Sequence, residues 1–155
     1  ASDVYKRQRD PRVIPRPRPF DLVVDTSAVM AIVNDEDARP RVAGALRAAK
    51  APVIGAPSRL ELSIVAEARV GPDGATAALG VLDAVDTLTI PFDEHLSDVA
   101  FRAWRTYGKG RHLAGLNLGD CFSYAIARHL DAPLLCVGKD FAQTDLTLVD
   151  VATST

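Results

Sequence analysis

The feature that most constrains the fold of this chain is the alternation of short apolar runs with longer segments of helical periodicity. In the longer segments, apolar residues recur at three- and four-residue spacing, as on the buried face of a helix. The predicted strands are 21–24, 52–56, 88–92, 133–137 and 146–150, and the predicted helices are 26–34, 38–50, 58–70, 74–86, 94–106 and 120–130. Strands that alternate with helices form a parallel sheet covered on both faces. The sequence therefore predicts an α/β fold.

Length and charge divide the chain into one domain and a basic arm. A chain of 155 residues is long enough for one domain with a substantial core, which we expect at 21–150, before a short C-terminal tail at 151–155. Residues 1–20 alternate Pro with Arg and contain six Lys or Arg and two Asp, whereas the other 135 residues contain 12 basic and 18 acidic residues. This composition predicts a disordered arm that contacts nucleic acid or a partner, or a segment that is not native to the protein.

Secretory and membrane signals are missing from the sequence. No apolar run approaches the ~20 residues of a membrane span, and the first residues lack the apolar stretch of a signal peptide. Cys121 and Cys136 are too few for a disulfide scaffold, and we expect both to be reduced core thiols. Phe101 and Trp104 lie at helical spacing and are expected in the core rather than as stacking surfaces for bases. These features predict a cytoplasmic protein that does not contact a membrane.

Four acids fall where a parallel sheet would bring them together. Asp25 ends the first predicted strand, Asp140 follows the fourth, Asp120 begins a helix, and Glu61 lies one turn into the helix after the second strand. In such sheets the ligand site lies beyond the carboxyl ends of the strands. The sequence therefore predicts that these acids meet at one edge of the sheet.

Each of these acids also has an ordinary structural explanation. Asp25 could cap the next helix, and Glu61 could form a capping box with Ser58. Asp120 could stabilise a helix dipole from the first turn, and Asp140 could be a turn residue. The coincidence of all four at one edge favours a shared site, because these explanations do not require it.

Carboxylates crowded at one edge would repel each other, since few basic residues lie beside them in the sequence. Hard oxygen ligands suit Mg²⁺ or Mn²⁺, and no Cys or His spacing suggests zinc. Four basic or imidazole side chains close to the acids would suit the phosphates of a substrate, although a Lys- and Gly-rich loop can also be merely solvated: Lys109, Arg111, His112 and Lys139. The pattern predicts a divalent-metal site that acts on phosphate.

Four blocks of the sequence resemble the PIN-domain ribonucleases, and within them the VapC toxins of bacterial toxin–antitoxin pairs. The blocks are VVDTSAVMAIV, PSRLELSIV, YGKGRHLAGLNLGDCFSYAIAR and PLLCVGKDFAQTDL, and together they cover about residues 21–149. The resemblance implies a three-layer α/β/α sandwich with a central parallel sheet. It also implies a metal-dependent endoribonuclease that cuts structured RNA such as tRNA or rRNA, pairs with a VapB-like antitoxin and forms a homodimer.

The resemblance also implies roles for individual residues. The catalytic and metal-binding acids of the family map onto Asp25, Glu61, Asp120 and Asp140, and Asp145 corresponds to a further acid that some relatives use. Ser27, with Thr26 beside it, corresponds to a hydroxyl that orients the first acid or a water on the metal. The cofactor implied is Mg²⁺ or Mn²⁺.

Two other functions remain open at this stage. A receiver-like signalling domain is also a parallel α/β fold, and Asp93 after the third strand could accept a phosphoryl group, although the first strand lacks the acid pair of that class. The second alternative is a catalytically silent domain of the same fold that only binds RNA or protein.

Overall fold

The computed structural model describes residues 19–151, so the predicted basic arm at 1–20 and the tail at 151–155 lie almost entirely outside the described residues. Within that range each of the first three strands is followed by two helices. The elements are β1 (Leu22–Val24), α1 (Thr26–Val33), α2 (Arg39–Ala48), β2 (Pro52–Gly55), α3 (Ala56–Val70), α4 (Gly74–Asp83), β3 (Leu88–Ile90), α5 (Glu94–Tyr107), α6 (Leu118–Leu130), β4 (Leu134–Leu135) and a 3₁₀ helix (Asp140–Gln143).

The strands form one parallel sheet in the order β3-β2-β1-β4. The chain moves outward from β1 through β2 to β3 and then returns to the other side of β1. The direction of winding therefore reverses between β1 and β4, which is where ligands bind in open α/β sheets. Asp25 follows the last residue of β1 at this point.

The sheet is covered on both faces, which confirms the predicted sandwich. Alternate strand residues point to opposite faces, so that Val23 and Val53 pack against α5 and α6, whereas Val24 and Ile54 pack against α1 to α4. All four of these side chains are fully buried. Apolar residues on both sides of each strand explain why the strands appear in the sequence as continuous apolar runs rather than as alternating ones.

The predicted fifth strand at 146–150 is wrong. The segment makes one isolated parallel pairing, between Leu148 and Leu134, with backbone hydrogen bonds of 2.9 and 3.0 Å on either side of it. Because β4 spans only two residues, it offers the segment too short an edge for an extended ladder.

The predicted start of the third helix at Ser58 is also wrong. Helix α3 begins at Ala56, directly after β2, and Pro57 lies in its first turn, where a missing N–H costs nothing. Ser58 therefore lies inside the helix and is buried, with 1% of its surface exposed. The alternative in which Ser58 and Glu61 form a capping box does not apply, which leaves the Glu61 side chain for other contacts.

The core includes the two cysteines but not the two aromatic residues expected there. Cys121 and Cys136 are free and buried, as predicted. Phe101 is 56% exposed and Trp104 is 38% exposed, so the expectation that they belong to the core is wrong. Helix α5 buries Leu96, Val99, Ala100 and Ala103 instead, and the two rings lie outside that stripe. Across residues 19–151, no helix has both the length and the apolarity that crossing a membrane requires.

Two glycines of helix α4 provide a matched test of the packing on the second face. A Cβ on Gly74 would overlap the backbone carbonyl of Ala66 in α3, whereas a Cβ on Gly80 would meet nothing within 4 Å. We expect Gly74→Ala to lower the free energy of unfolding by about 1–3 kcal/mol, since backbone must move to admit the methyl group. Gly80→Ala should raise it by up to about 1 kcal/mol. Urea unfolding measures both, and equal effects would contradict this packing.

Candidate functional site

Asp25 is held at the carboxyl end of β1 by hydrogen bonds to both of its carboxylate oxygens. It is 5% exposed and caps helix α1. Its Oδ2 accepts from the amide of Ser27 at 3.0 Å and from the hydroxyl of Ser27 at 2.5 Å. Its Oδ1 accepts from the hydroxyl of Ser123 in α6 at 2.5 Å. The capping role considered for Asp25 is therefore real, and it coexists with a place in the acid cluster.

The hydroxyls around Asp25 tie neighbouring elements to β1. Ser27 Oγ accepts from the amide of Val137, just beyond β4, at 3.0 Å. Ser123 Oγ lies 3.3 Å from the buried hydroxyl of Ser58 in α3. The sequence pointed to Ser58 only as a helix cap and did not point to Ser123. Each is three positions from an acid on the same helix, which places it on the same helix face, and that spacing was the available signal.

Asp120 occupies the first turn of α6 in a reciprocal capping arrangement. Its Oδ2 accepts from the amide of Asn117 at 2.9 Å, and its own amide donates to Asn117 Oδ1 at 2.9 Å. This capping box orients the Asp120 carboxyl at the start of the helix. The structural role proposed from sequence, a favourable interaction with the helix dipole, is thus accompanied by specific hydrogen bonds.

The carboxylate of Glu61 lies directly against Gly119. A Cβ at position 119 would overlap Glu61, so glycine is required there for the acid to approach the start of α6. Burial raises the pKa of the Glu61 carboxyl, nearby Asp25 raises it further, and a hydrogen bond from Thr26 opposes the rise. The Thr26 hydroxyl also lies 3.3 Å from the carbonyl of Ser58, and its single proton can serve only one of these acceptors at a time.

The four acids lie within electrostatic range of one another at this edge of the sheet. The pKa of Asp120 is raised to about 6, chiefly by burial and further by the charges of Asp25, Asp140 and Glu61, while a hydrogen bond from the Asn117 backbone opposes the rise. The pKa of the Cys136 thiol is raised to about 12, again chiefly by burial, with contributions from Asp25, Asp120 and Asp140. The fold therefore brings together Asp25, Glu61, Asp120 and Asp140, as the topology predicted.

The other predicted residues lie around this cluster with different contacts. The carboxylate of Asp145 accepts from the hydroxyl of Tyr124 at 2.7 Å and is not among the charges that act on Asp120 or Glu61. The guanidinium of Arg111 lies 4.1 Å from the ring centre of Trp104, and His112 Nδ1 accepts from the amide of Ala114 at 3.1 Å. Lys109 is exposed in the loop before α6, and Lys139 is exposed directly before Asp140.

The donor set at this edge suits a divalent cation. All the charges that act on Glu61 and Asp120 within the described part of the chain are carboxylates, which are the ligands that Mg²⁺ and Mn²⁺ prefer. Among residues 19–151, however, no three Asp, Glu, His or Cys side chains already stand in an arrangement that could hold a metal ion. The residues fit the cation by their chemistry, and side chains must rotate to complete a coordination sphere.

Asp93, which a receiver-like domain would use as phosphoryl acceptor, has a structural role. It caps helix α5, and its Oδ1 accepts from the amide of Leu96 at 3.0 Å. It follows the edge strand β3, whereas the acid cluster lies around β1 and β4. The geometry therefore does not favour a phosphoryl-accepting site at this position.

Comparison with known proteins agrees with the geometry. The PIN domain family matches residues 22–146. Ribonuclease VapC30 of Mycobacterium tuberculosis is 44% identical over 130 residues, which span 83% of this chain and 98% of that protein. The fold resembles the crystal structure of Mycobacterium tuberculosis VapC20, described as a sarcin-ricin loop cleaving toxin, with a TM-score of 0.67, 21% identity, and coverage of 83% of this chain and 98% of that one. It also resembles a toxin–antitoxin complex from Klebsiella pneumoniae, with a TM-score of 0.63, 15% identity, and coverage of 85% and 98%.

Asp120→Asn is predicted to stabilise the metal-free protein above pH 6 and to change it little near pH 4. The folded-state pKa of about 6 exceeds the ~3.9 of Asp in an unfolded chain, so the folded state loses stability as the pH rises through that interval. The full shift corresponds to ~3 kcal/mol, which partial exposure of the carboxyl reduces to about 1 kcal/mol. Asn retains an acceptor for the Asn117 amide.

Thermal unfolding in EDTA between pH 4 and pH 8 measures this difference, which we expect to reach roughly 2–5 °C at pH 7.5. Asp98→Asn, at an exposed acid of α5, is the matched control for removal of one carboxylate charge. Identical pH profiles for wild type and Asp120→Asn would contradict the assigned environment of Asp120.

Proposed function

This chain belongs to the PIN-domain family, and within it to the VapC ribonucleases, and on that premise we propose that it is a metal-dependent endoribonuclease toxin held inactive by a cognate antitoxin. The observation that carries this proposal is the convergence of Asp25, Glu61, Asp120 and Asp140 at one sheet edge. The helix caps formed by Asp25 and Asp120 account for two of these acids, and neither cap requires the other two. The same observation favours a nuclease over a catalytically silent domain of this fold, which would have no use for such a cluster.

We assign the binding of Mg²⁺ or Mn²⁺ to Asp25, Glu61, Asp120 and Asp140. A bound divalent cation would lower the pKa of a water molecule and offset the charge that develops on the phosphate. Ser27 and Thr26 would hold the carboxylates of Asp25 and Glu61 in position, as their hydrogen bonds indicate. Asp145 would join this set through its second carboxylate oxygen, because Oδ1 accepts the hydrogen bond from Tyr124.

Glu61 is suited to receive the proton of the attacking water. Burial and the charge of Asp25 raise its pKa, and a base works best when its pKa lies closer to the pH at which it acts. The carboxylate also faces the start of α6 across Gly119, on the same side as Asp120. In this assignment Asp25, Asp120 and Asp140 hold the cation, and Glu61 either shares it or takes the proton.

The proposed substrate is a structured RNA such as tRNA or rRNA. The name of the solved relative that cleaves the sarcin-ricin loop supports this class. Four side chains around the acids would contact the phosphates of the strand: Lys109, Arg111, His112 and Lys139. Such contacts position the backbone without reading the sequence.

A VapB-like antitoxin is the proposed inhibitor, and the toxin–antitoxin complex among the structural relatives supports this partner. A cavity of about 870 Å³ opens beside the end of β4, and Glu36 and Asp37 are among the residues that line it. A basic segment of a partner would complement these charges. We further propose that the toxin acts as a homodimer in the cytoplasm, where its RNA substrates are found.

Asp120→Asn is expected to abolish RNA cleavage while the protein remains folded. Asn lacks the negative charge with which Asp120 would hold the cation, and loss of one group that stabilises the transition state typically lowers the rate by about 10²–10³-fold. Cleavage of end-labelled RNA by nuclease-free protein measures the rate, circular dichroism verifies the fold, and Asp98→Asn is the active control. Addition of Mn²⁺ should raise the melting temperature of wild type more than that of Asp120→Asn. Undiminished cleavage by Asp120→Asn would remove this residue from the mechanism.

The chemistry of the RNA ends tests which oxygen attacks. Attack by water leaves a 5′-phosphate and a 3′-hydroxyl, whereas attack by the neighbouring 2′-hydroxyl leaves a cyclic phosphate. We expect the first pair, which ligation and phosphatase sensitivity of the products can identify. Cyclic phosphate ends would rule out the proposed hydrolysis.

Gly119→Ala is expected to slow cleavage by about 10–100-fold with little change in stability. The added methyl group would displace the Glu61 carboxylate, and small misplacements of a catalytic group have effects of this size. Stability should persist because the displaced group is the end of a flexible side chain. Gly80→Ala, which meets nothing within 4 Å, is the matched control. Full activity in Gly119→Ala would show that the position of Glu61 does not matter.

A further inference from the structure

Helix α5 carries two exposed rings that the proposed reaction does not use. Phe101 and Trp104 are 56% and 38% exposed, and their rings stack at a centroid separation of 5.9 Å and an interplanar angle of 14°. Large exposed apolar groups that adjoin each other commonly mark a binding site. We refer to Phe101, Trp104 and the guanidinium of Arg111 as the aromatic surface.

The orientation of Trp104 is fixed before any ligand binds. The Arg111 guanidinium lies 4.1 Å from its ring centre, and a Cβ on Gly108 would approach Trp104 Cδ1 to 2.7 Å and Nε1 to 3.0 Å. Gly108 therefore lets the loop backbone pack against the edge of the ring. A ring held this way loses little conformational entropy when another flat group stacks on it.

The aromatic surface borders a cavity. The first turn of α6, which carries Asp120, forms part of the cavity wall. The cavity has a volume of about 530 Å³, and its lining includes Trp104, Lys109, Asn117, Leu118 and Phe122. Asn117 is the residue that forms the capping box with Asp120. Since a helix with its side chains is ~10 Å across, the cavity and the acids lie within reach of a few nucleotides of one strand.

We propose that the aromatic surface stacks on an unpaired nucleobase of the substrate and thereby positions the strand so that its scissile phosphodiester lies at the acids. This inference rests on the proposed ribonuclease function. Aromatic rings and Arg guanidinium planes are the groups on which proteins stack unpaired RNA bases. Lys109 and Arg111 supply positive charge to the phosphates next to the stacked base. The acid cluster itself is negatively charged and cannot attract these phosphates.

The charge around the rings favours RNA over a protein partner. Arg105 lies 5.7 Å from the ring centre of Phe101, so that three cations, Arg105, Arg111 and Lys109, surround the two rings. Arg and aromatic rings also occur at protein interfaces, but the core of such an interface is depleted in Lys and in charge overall, whereas three cations around two rings suit a nucleic-acid site. A different exposed patch, formed by Leu60 and Ile64 one turn apart on α3, is aliphatic and lacks these stacking groups.

Tryptophan fluorescence tests the proposal directly, because Trp104 is the single Trp of the chain. The full chain is titrated in EDTA, which prevents cleavage, with a single-stranded RNA and with an abasic ribose-phosphate strand of the same length and charge. We expect the base-bearing RNA to quench Trp104 and to bind about 5- to 100-fold more tightly than the abasic strand. Fluorescence anisotropy of labelled strands provides the affinities independently of the quenching.

Variants separate stacking from general effects on the protein. Trp104→Ala and Phe101→Ala should weaken binding of base-bearing RNA by about 5- to 100-fold and leave binding of the abasic strand unchanged. Trp104→Phe should retain most of the affinity because it retains a ring. In cleavage assays with metal, Trp104→Ala should raise KM more than it lowers kcat. Leu88→Ala, at a side chain 54% exposed at the amino end of edge strand β3, is the matched control.

Two results would overturn the proposal. Equal affinity for the base-bearing and abasic strands would show that no base is bound. If Trp104→Ala sediments as a smaller species than wild type while its RNA affinity is unchanged, the aromatic surface is a protein interface instead. If wild type cleaves RNA but binds it independently of the bases, only this inference fails. If binding depends on the bases but no cleavage occurs, base stacking stands and the proposed reaction fails, together with the positioning of a scissile bond.

Discussion

The arrangement of the site depends on the hydrogen bonds to the carboxylate of Asp25. One oxygen accepts from Ser27 and the other from Ser123, so that β1, α1 and α6 meet at a single buried side chain. Ser27 extends the network to Val137 beyond β4, and Ser58 extends it to α3. A buried charge is tolerated only when hydrogen bonds replace its lost water, and these hydroxyls provide them. The same hydroxyls therefore stabilise the acid and fix the elements that carry its neighbours.

The hydrogen bonds replace the water that Asp25 loses on burial, but they do not reduce the repulsion among the acids. Burial and the neighbouring carboxylates raise the pKa of Asp120 to about 6, and no cation of the described chain is among the charges that act on it. Folding thus concentrates negative charge at the sheet edge and leaves it unbalanced. The divalent cation proposed above would stabilise such an edge, because it would bind the folded state and offset the repulsion among the carboxylates. This is the usual relation between a functional site and the stability of its scaffold.

Much of the fold and the membership of the acid cluster followed from the sequence. The apolar runs predicted four of the strands, because residues buried on both faces of a parallel sheet must be apolar at every position. The places of Asp25 and Asp140 after strands, and of Asp120 at the start of a helix, followed from the rule that such ends share one edge. The family resemblance pointed to the same acids. The match to the PIN domain family and to a VapC ribonuclease confirms the resemblance itself. The failures were local: 146–150 pairs at one position only, and Ser58 lies inside a helix rather than at its cap.

The sequence by itself determined the fold class and which acids meet, because both depend on periodic patterns and on the ends of elements that can be counted along the chain. Only the tertiary structure decided which partners those acids have and which side chains remain exposed. Ser123 lies 98 positions from the Asp25 that it contacts, and Glu61 approaches α6 only because position 119 carries no side chain. The spacing of Phe101 and Trp104 suits a buried face as well as an exposed one, and their exposure was settled by which stripe of α5 faces the sheet. Contacts between distant segments depend on packing in three dimensions, and local periodicity does not predict that packing.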